Sequence, residues 1–344
     1  MLIVFSRSSS LNSYPVCTLK YFISYNLGHQ ELSTVKNNLG TITHKILEIL
    51  SNCKIIIQNN PEKKEFELDD GEIGLLKFDQ IIFYSEEFLK EITDKVYDYY
   101  VRNTTHLTYK YSEHYPFCRK MVDNCLAYHN GIYDPRKLKT VKAEAKFEFL
   151  VDEPWAHFEY EGEKYQLCLK GTIDLIIEED PNCISIIDFK SGLRKNFADG
   201  KIKDEEYLKS DLQLLMYYWA AKRLYPQYKY CIMNILFLRD GGPFTMAYDE
   251  SHEELFMKLL KEEFLTILND KNPKPINHWR SDFRCKYLCD FNKNNWPGTE
   301  KTICQYTEDY VKTYGISKAS KDLKKEGFEV GHYVVPGSVG SARS

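Results

Sequence analysis

The sequence predicts an α/β fold in which a central mixed, mostly antiparallel sheet is flanked by helices, and three observations predict it. Residues 172–177 and 184–189 are apolar, β-branched runs joined by a polar turn with Pro181 and Asn182, the pattern of a hairpin of two buried strands. Residues 141–150, VKAEAKFEFL, alternate apolar and charged side chains, which marks a half-buried strand. Around them lie stretches with helical spacing, among them 40–50 (GTITHKILEIL) and 211–224 (DLQLLMYYWAAKRL).

Composition bounds the rest. At 344 residues the chain can bury a sizeable core. Hydrophobic residues at 43% and charged residues at 28% are ordinary for a globular protein, and no apolar run reaches the roughly 20 residues of a membrane span. A net charge of −4 excludes a uniformly basic coat, but 46 Lys and Arg leave room for a local basic groove. The opening MLIVFSRSSS has too short an apolar segment for a secretory signal. Ten cysteines therefore read as thiols or metal ligands, and the expected location is intracellular: cytoplasmic, nucleoid-associated, or host cytoplasm for a viral protein.

In chain order, residues 8–27 carry Leu19, Phe22 and Ile23 at helical spacing, with Cys17 near the start. In 40–50, Ile42, Ile46, Leu47, Ile49 and Leu50 face a core, and His44 interrupts that face. Residues 58–71 read as a surface loop, and the segments near 84–103 and 113–129 as helices rich in Tyr, Lys and Glu. Residues 164–170 make a short strand leading into the hairpin. Past Gly192 come a charged surface loop, the helix 211–224, a second hairpin (230–238 and 244–248), and a helix over 251–269 opened by Ser251 and Glu254 as a capping box. His106, His114, His129, Cys118 and Cys125 have no ligand spacing, and Cys53, Cys168, Cys183 and Cys231 read as packing residues.

The chemistry concentrates in the first hairpin. Each strand carries one carboxylate where an apolar residue is expected, Asp174 and Asp188. Symmetry about Pro181 sets them opposite each other, with Cβ atoms roughly 5 Å apart. Facing acids repel unless a cation or a shared proton lies between them, and a divalent metal is the economical explanation. Lys190, two residues after Asp188, shares its face of the strand. Hard carboxylate oxygens suit Mg²⁺ or Mn²⁺, and an adjacent ammonium can orient water and offset developing charge.

The run from Gly171 to Gly192, G-x-x-D followed by I-I-D-F-K-S-G, resembles the metal-binding core of the PD-(D/E)XK nuclease superfamily, and within it the RecB-type exonucleases. Residues 40–48, G-T-x-x-H-x-x-L-E, resemble their first motif, and Gln213 with Tyr217 resembles a further one, Q-x-x-x-Y, on the helix after the D-x-K strand. The resemblance implies a restriction-endonuclease-like core. It implies His44, Asp174, Asp188 and the Phe189 carbonyl as metal ligands, Lys190 as a catalytic group, and Gln213 and Tyr217 as positioning residues. Glu48 stays unassigned. Glu144 stands where similar families often have an acid, and a surface role suits it equally.

A serine-rich lead into Cys17, with Cys285, Cys289 and Cys304 in an aromatic-rich segment, resembles nucleases whose [4Fe–4S] cluster joins N- and C-terminal regions. The family spacing C-x₂-C-x₅-C becomes C-x₃-C-x₁₄-C here, a departure that falls on Cys304. A Cys₄ zinc site is the chemical rival, and independent structural cysteines are the plain alternative.

The resemblance thus implies one nuclease domain over 1–330, with 51–140 a helical insertion, 141–250 the catalytic sheet core, and residue 17 with 279–310 the cluster-binding segments. Residues 331–344 read as a disordered tail. The implied activity is Mg²⁺- or Mn²⁺-dependent hydrolysis of DNA ends or single strands in recombination, repair or genome processing. No G-x-x-x-x-G-K-[ST] motif is present, so a helicase or recombination protein would be a separate partner. The alternative is a non-catalytic nucleic-acid-binding or scaffold subunit, against which the intact acid–acid–lysine set argues. A sequence-specific restriction enzyme would need a recognition domain, for which 344 residues leave little room.

Overall fold

The structure, a computed structural model, describes all residues except 1–4, 33, 105–109, 161–162, 196–200, 240–241, 278–279 and 329–344. The elements run β1 (Phe5–Ser6), α1 (Ser8–Ser13), α2 (Thr18–Tyr21), α3 (Val35–Asn59), β2 (Glu65–Asp70), β3 (Gly74–Asp79), α4 (Gln80–Phe83), α5 (Glu86–Asn103) and α6 (Tyr111–Ala127). They continue β4 (Thr140–Leu150), β5 (His157–Tyr160), β6 (Glu163–Gln166), β7 (Cys168–Asp180), β8 (Cys183–Lys190), α7 (Glu205–Lys209), α8 (Leu212–Leu224), β9 (Tyr230–Phe237), β10 (Gly242–Tyr248), α9 (Glu250–Asn269), α10 (Ile303–Tyr314) and α11 (Ile316–Asp322).

The predicted class is observed: a central mixed sheet, in the order β1-β7-β8-β9-β10 with β4 also on β7, is flanked by helices. β7 and β8 are antiparallel, with Leu175 opposite Ile187 and Ile176 opposite Ile186. One step further along that register stand Asp174 and Asp188. β8 and β9 are parallel, because the chain returns through α7 and α8 before pairing again. That leaves β8 central, and it is buried at every residue except the half-buried Lys190.

The chain forms two compact units, Ser33–Lys146 with Thr172–Glu253, and Met1–Leu32 with Phe147–Gly171 and Glu254–Ser344. In the first, α3 packs on α5 and α6 around Ile42, Ile46, Leu50, Phe88, Ile92 and Val122, all but excluded from solvent. Thr34 caps α3 by accepting the Asn37 N–H at 3.2 Å, and Asp211 does the same for α8 at Gln213 N, 2.9 Å. In the second, Phe158 of β5 lies 5.4 Å from Tyr165 of β6, and Phe264 of α9 closes on Phe158 at 5.5 Å.

Four local expectations are revised. Residues 58–71 are not one loop: α3 runs on to Asn59, and Glu65–Asp70 form β2, which pairs with β3, with Phe66, Leu76 and Phe78 buried. The acids Glu65, Glu67, Asp69 and Asp70 hide that alternation in the sequence. The N-terminal helix is broken into α1, α2 and a π-turn over Phe22–Asn26, although Leu19, Phe22 and Ile23 are buried as expected. Residues 164–170 do not form one strand: β6 ends at Gln166 and β7 begins at Cys168. Helix α9 starts one residue early, and Asp249, not Ser251, supplies its capping oxygen by accepting the Ser251 N–H at 3.0 Å. His106, the tip of the second hairpin at 240–241 and the tail from 331 lie outside the described residues. Among the described residues no helix is long and apolar enough to cross a membrane.

Candidate active site

The site is assembled from α3, β7, β8 and α8, and its residues all lie within the unit Ser33–Lys146 with Thr172–Glu253. The hairpin supplies Asp174 and Asp188. Asp174 Oδ2 accepts the backbone N–H of Phe189 at 2.8 Å, so the acid on β7 is fixed by the strand that carries the other acid. His44 Nδ1 stands 3.5 Å from the same oxygen, brought there by α3, and its ring meets the Phe189 ring edge-on at 6.2 Å.

Lys190 joins the hairpin to α8. Its Nζ contacts Asp188 Oδ1 at 3.1 Å and donates to Gln213 Oε1 at 2.9 Å; Gln213 in turn donates to the Tyr217 hydroxyl at 2.8 Å. Gln213 and Tyr217 lie one turn apart on α8, which is why the i, i+4 spacing places both on this line. Every residue expected here from the sequence is therefore brought together: His44, Asp174, Asp188, Phe189, Lys190, Gln213 and Tyr217.

The electrostatics are those of a desolvated acid pair. Burial opposes ionisation of Asp174, but His44, Lys190 and the Phe189 N–H hold it below the usual carboxylate range. Asp188 goes the other way: burial, with the Asp174 charge, outweighs Lys190 and raises it. For His44 burial favours the neutral ring, yet the adjacent Asp174 prevails and the imidazole is raised. Lys190 is likewise raised, the Asp188 carboxylate overcoming burial.

A cleft of ≈510 Å³ opens beside Asp174 and His44, and Glu48, Tyr100, Glu144 and Ser191 also line it. Glu144 is the residue whose position the sequence hides. By alternation it belongs to the outer face of β4, but its φ is +47°, a left-handed conformation that turns the side chain out of the strand pattern. Burial, then Asp174 and Glu48, push its carboxyl up to about 7. On α3 beside the cleft, Lys45 ties Glu48 at 3.2 Å to Asp70 at 2.9 Å and Glu72 at 3.6 Å on the β2–β3 hairpin. Tyr100 donates to Glu72 at 3.2 Å. Nothing in the spacing of the sequence points to Lys45 or Tyr100.

Among the described residues no group of three or more His, Cys, Asp or Glu side chains is arranged to hold a metal ion. The donor chemistry nevertheless suits a hard divalent cation. Asp188 Oδ2 is buried 2.8 Å from Lys190 Nζ yet has no hydrogen bond of acceptable geometry, so a desolvated anionic oxygen keeps unused lone pairs.

The four cysteines singled out in the sequence all fall in the other unit. Cys17 caps α2, its Sγ accepting the Lys20 N–H at 3.4 Å, and α2 packs on α10, which carries Cys304. Arg280 donates from Nε to Cys304 Sγ at 3.3 Å and pairs with Glu308. Cys285 lies within electrostatic range of Cys17, Cys304 within range of both, and Cys289 within range of Cys304. Burial raises the Cys304 thiol to about 11 and that of Cys289 to about 12.

A mixed sheet carrying a buried acid, a half-buried acid and a lysine on its central hairpin is a candidate hydrolytic centre. The chain belongs to the PD-(D/E)XK nuclease superfamily, whose profile matches residues 8–293. No curated protein matches it. Among solved structures it is similar to a candidate exonuclease from Eubacterium rectale, at 11% identity over 85% of this chain and 88% of that one, with a TM-score of 0.43. A second, SSO0001, matches at 17% identity over 40% of this chain and 54% of that one, with a TM-score of 0.21.

Proposed function

We propose that this chain hydrolyses DNA as a Mg²⁺- or Mn²⁺-dependent nuclease of the RecB exonuclease type, acting at ends or on single strands. The observation that carries the reading is Lys190, held between Asp188 and Gln213 beside the Asp174–His44 pair. His44, Asp174, Asp188 and the Phe189 carbonyl would hold the cation, which when bound lowers the pKa of water and polarises the phosphate. Asp174 is already ionised by its neighbours and ready as an anionic ligand. Lys190, cationic and aimed by Gln213, orients the attacking water and offsets charge on the phosphate oxygens as the bond to the leaving oxygen lengthens. The donor-only Lys190 ammonium sets the Gln213 amide oxygen toward itself, and the Tyr217 hydroxyl accepts from the amide NH₂ on the other side.

End-labelled single-stranded and duplex DNA, incubated with Mg²⁺ or Mn²⁺, tests this against Asp188→Ala. Cleavage lost in the variant alone supports it, and the product ladder gives polarity. A folded, metal-supplied wild type that cuts nothing overturns it in favour of a binding or scaffold subunit.

The same reading extends to a [4Fe–4S] cluster on Cys17, Cys285, Cys289 and Cys304. Its support is the grouping of Cys17, Cys285 and Cys304 within electrostatic range of one another, with Cys289 in range of Cys304, and the N–H donors at two sulfurs, Lys20 N at Cys17 and Arg280 Nε at Cys304. Iron, acid-labile sulfide and zinc measured in anaerobically purified protein and in Cys289→Ser decide it. Stoichiometric zinc without iron assigns the rival Cys₄ site.

A further inference from the structure

A second cleft, of ≈590 Å³, adjoins the first. Val35, Lys36 and Leu39 of α3, Lys110, His114 and Phe117 at α6, Arg239 after β9, and Ser191 line it. Ser191 also lines the cleft of His44 and Asp174, so the two cavities share the residue that follows Lys190. The walls divide by chemistry. Val35, Leu39 and Phe117 are apolar, and Lys36, Lys110 and Arg239 are cationic. Glu113 is the one carboxylate among the lining residues, and it is paired with Lys110 at 3.3 Å. Among the described residues Lys36 and Arg239 form no ion pair, and the Arg239 guanidinium lies over the Phe117 ring, 5.1 Å from its centroid.

We infer that this second cleft binds single-stranded DNA and leads it to the catalytic hairpin; the inference rests on the proposed nuclease reading for its substrate class. Cations alone would suit any polyanion. Here they rim an apolar floor carrying an aromatic ring stacked under a guanidinium, a surface for unpaired bases between phosphates. A duplex keeps its bases inside the stack and can use the cations only. Lys36 and Arg239 contact phosphates, with Lys110 beside them, while a base lies against the half-buried Phe117 and Val35.

The test is fluorescence anisotropy of a labelled oligothymidylate in EDTA, so that binding is read without cleavage. Wild type is compared with Lys36→Glu/Arg239→Glu and with Phe117→Leu, which keeps the apolar contact with the core but removes the ring. The double variant is expected to bind the single strand about 10–100-fold more weakly, with a salt slope shallower by about 1.4 for two lost phosphate contacts. Phe117→Leu is expected to weaken the single strand about tenfold while leaving a duplex of equal length unchanged. Single-strand affinity and salt slope unchanged in the folded double variant overturn the inference, as does an equal loss for duplex and single strand in Phe117→Leu. Cleavage in Mg²⁺ is scored separately. A protein that binds through these residues but cuts nothing overturns the nuclease and leaves this surface standing; one that cuts and binds normally with both charges reversed does the opposite.

Discussion

Lys190 and Gln213 meet at 2.9 Å, ammonium to amide oxygen, across the step from β8 to α8. Without that contact the flexible lysine would be held by Asp188 alone, 2.8 Å from Oδ2, and would neutralise the acid instead of facing a phosphate. On the proposed nuclease reading, Gln213 is thus a positioning residue for Lys190.

Gln213→Ala is expected to lower kcat about 10–100-fold, the range seen when the groups supporting a catalytic or ligating side chain are removed. KM and melting temperature should change little, because Gln213 is only half-buried. Tyr217→Phe keeps the ring and loses the hydroxyl that meets Gln213, so its effect should be several-fold smaller. Steady-state kinetics on a short labelled strand with both variants checks the order. An equal loss in KM for both would assign Gln213 to substrate binding instead.

Metal binding should be visible without catalysis. Two desolvated acids on facing strands are relieved by a cation, so Mn²⁺ at about 100 times its Kd should stabilise the folded chain by about 2.7 kcal/mol. In a thermal-shift experiment that corresponds to a rise of roughly 3–8 °C. Asp174→Asn/Asp188→Asn should show no such rise. Equal shifts in wild type and variant would place the ion elsewhere.

How much of this was legible follows from which signals are local. Asp174 and Asp188 each interrupt an apolar strand, and the symmetry of a hairpin about Pro181 is enough to oppose them; the register confirms it. The line from Lys190 to Tyr217 was legible because a helix fixes i and i+4 on one face. Glu144 stays open in the sequence between a site and a surface role, because its place in the cleft lining goes with a φ of +47° that no alternation pattern encodes. Lys45 was hidden for another reason. Its acids, Asp70 and Glu72, sit on a hairpin whose charge density disguised it as loop, so their meeting is purely tertiary.

The motif glycine of α3 has a steric reason that can be measured. A Cβ on Gly40 would stand 2.5 Å from Ser191 Oγ and 3.3 Å from its Cβ. Gly40→Ala gains about 1 kcal/mol of helix propensity but meets an overpacking cost of about 1–3 kcal/mol. The net lies between neutral and about 2 kcal/mol destabilising, depending on how freely the Ser191 hydroxyl gives way, and the substitution should displace the residue next to Lys190 and lower activity. In a Ser191→Ala background the hydroxyl is gone and the penalty should fall by about 1 kcal/mol or more. Urea denaturation of the four proteins in this cycle checks it. Additive effects would show that Gly40 is required for something other than Ser191.

Glu263 on α9 should make stability depend on pH in an unusual direction. Its Oε1 is buried without a hydrogen bond, and burial pushes the carboxyl up to about 7 from 4.5. A folded-state pKa above the unfolded one means that the folded chain binds the proton more tightly. The contribution to stability is thus fully present below about pH 4.5 and is lost as pH rises through about 7. The full linkage would be roughly 3 kcal/mol, and because the side chain is partly exposed, solvent screening reduces it to on the order of 1–2 kcal/mol. Glu263→Gln removes the charge but keeps the shape. At pH 5, where the unfolded chain alone has begun to ionise, it should melt only slightly above the wild type. At pH 8 it should melt several degrees higher. The measurement is thermal unfolding of both proteins across pH 5 to 8. A constant difference across that range would mean that Glu263 acts through packing, and a wild type that gains stability relative to the variant at pH 8 would mean that its carboxylate finds a cation when ionised.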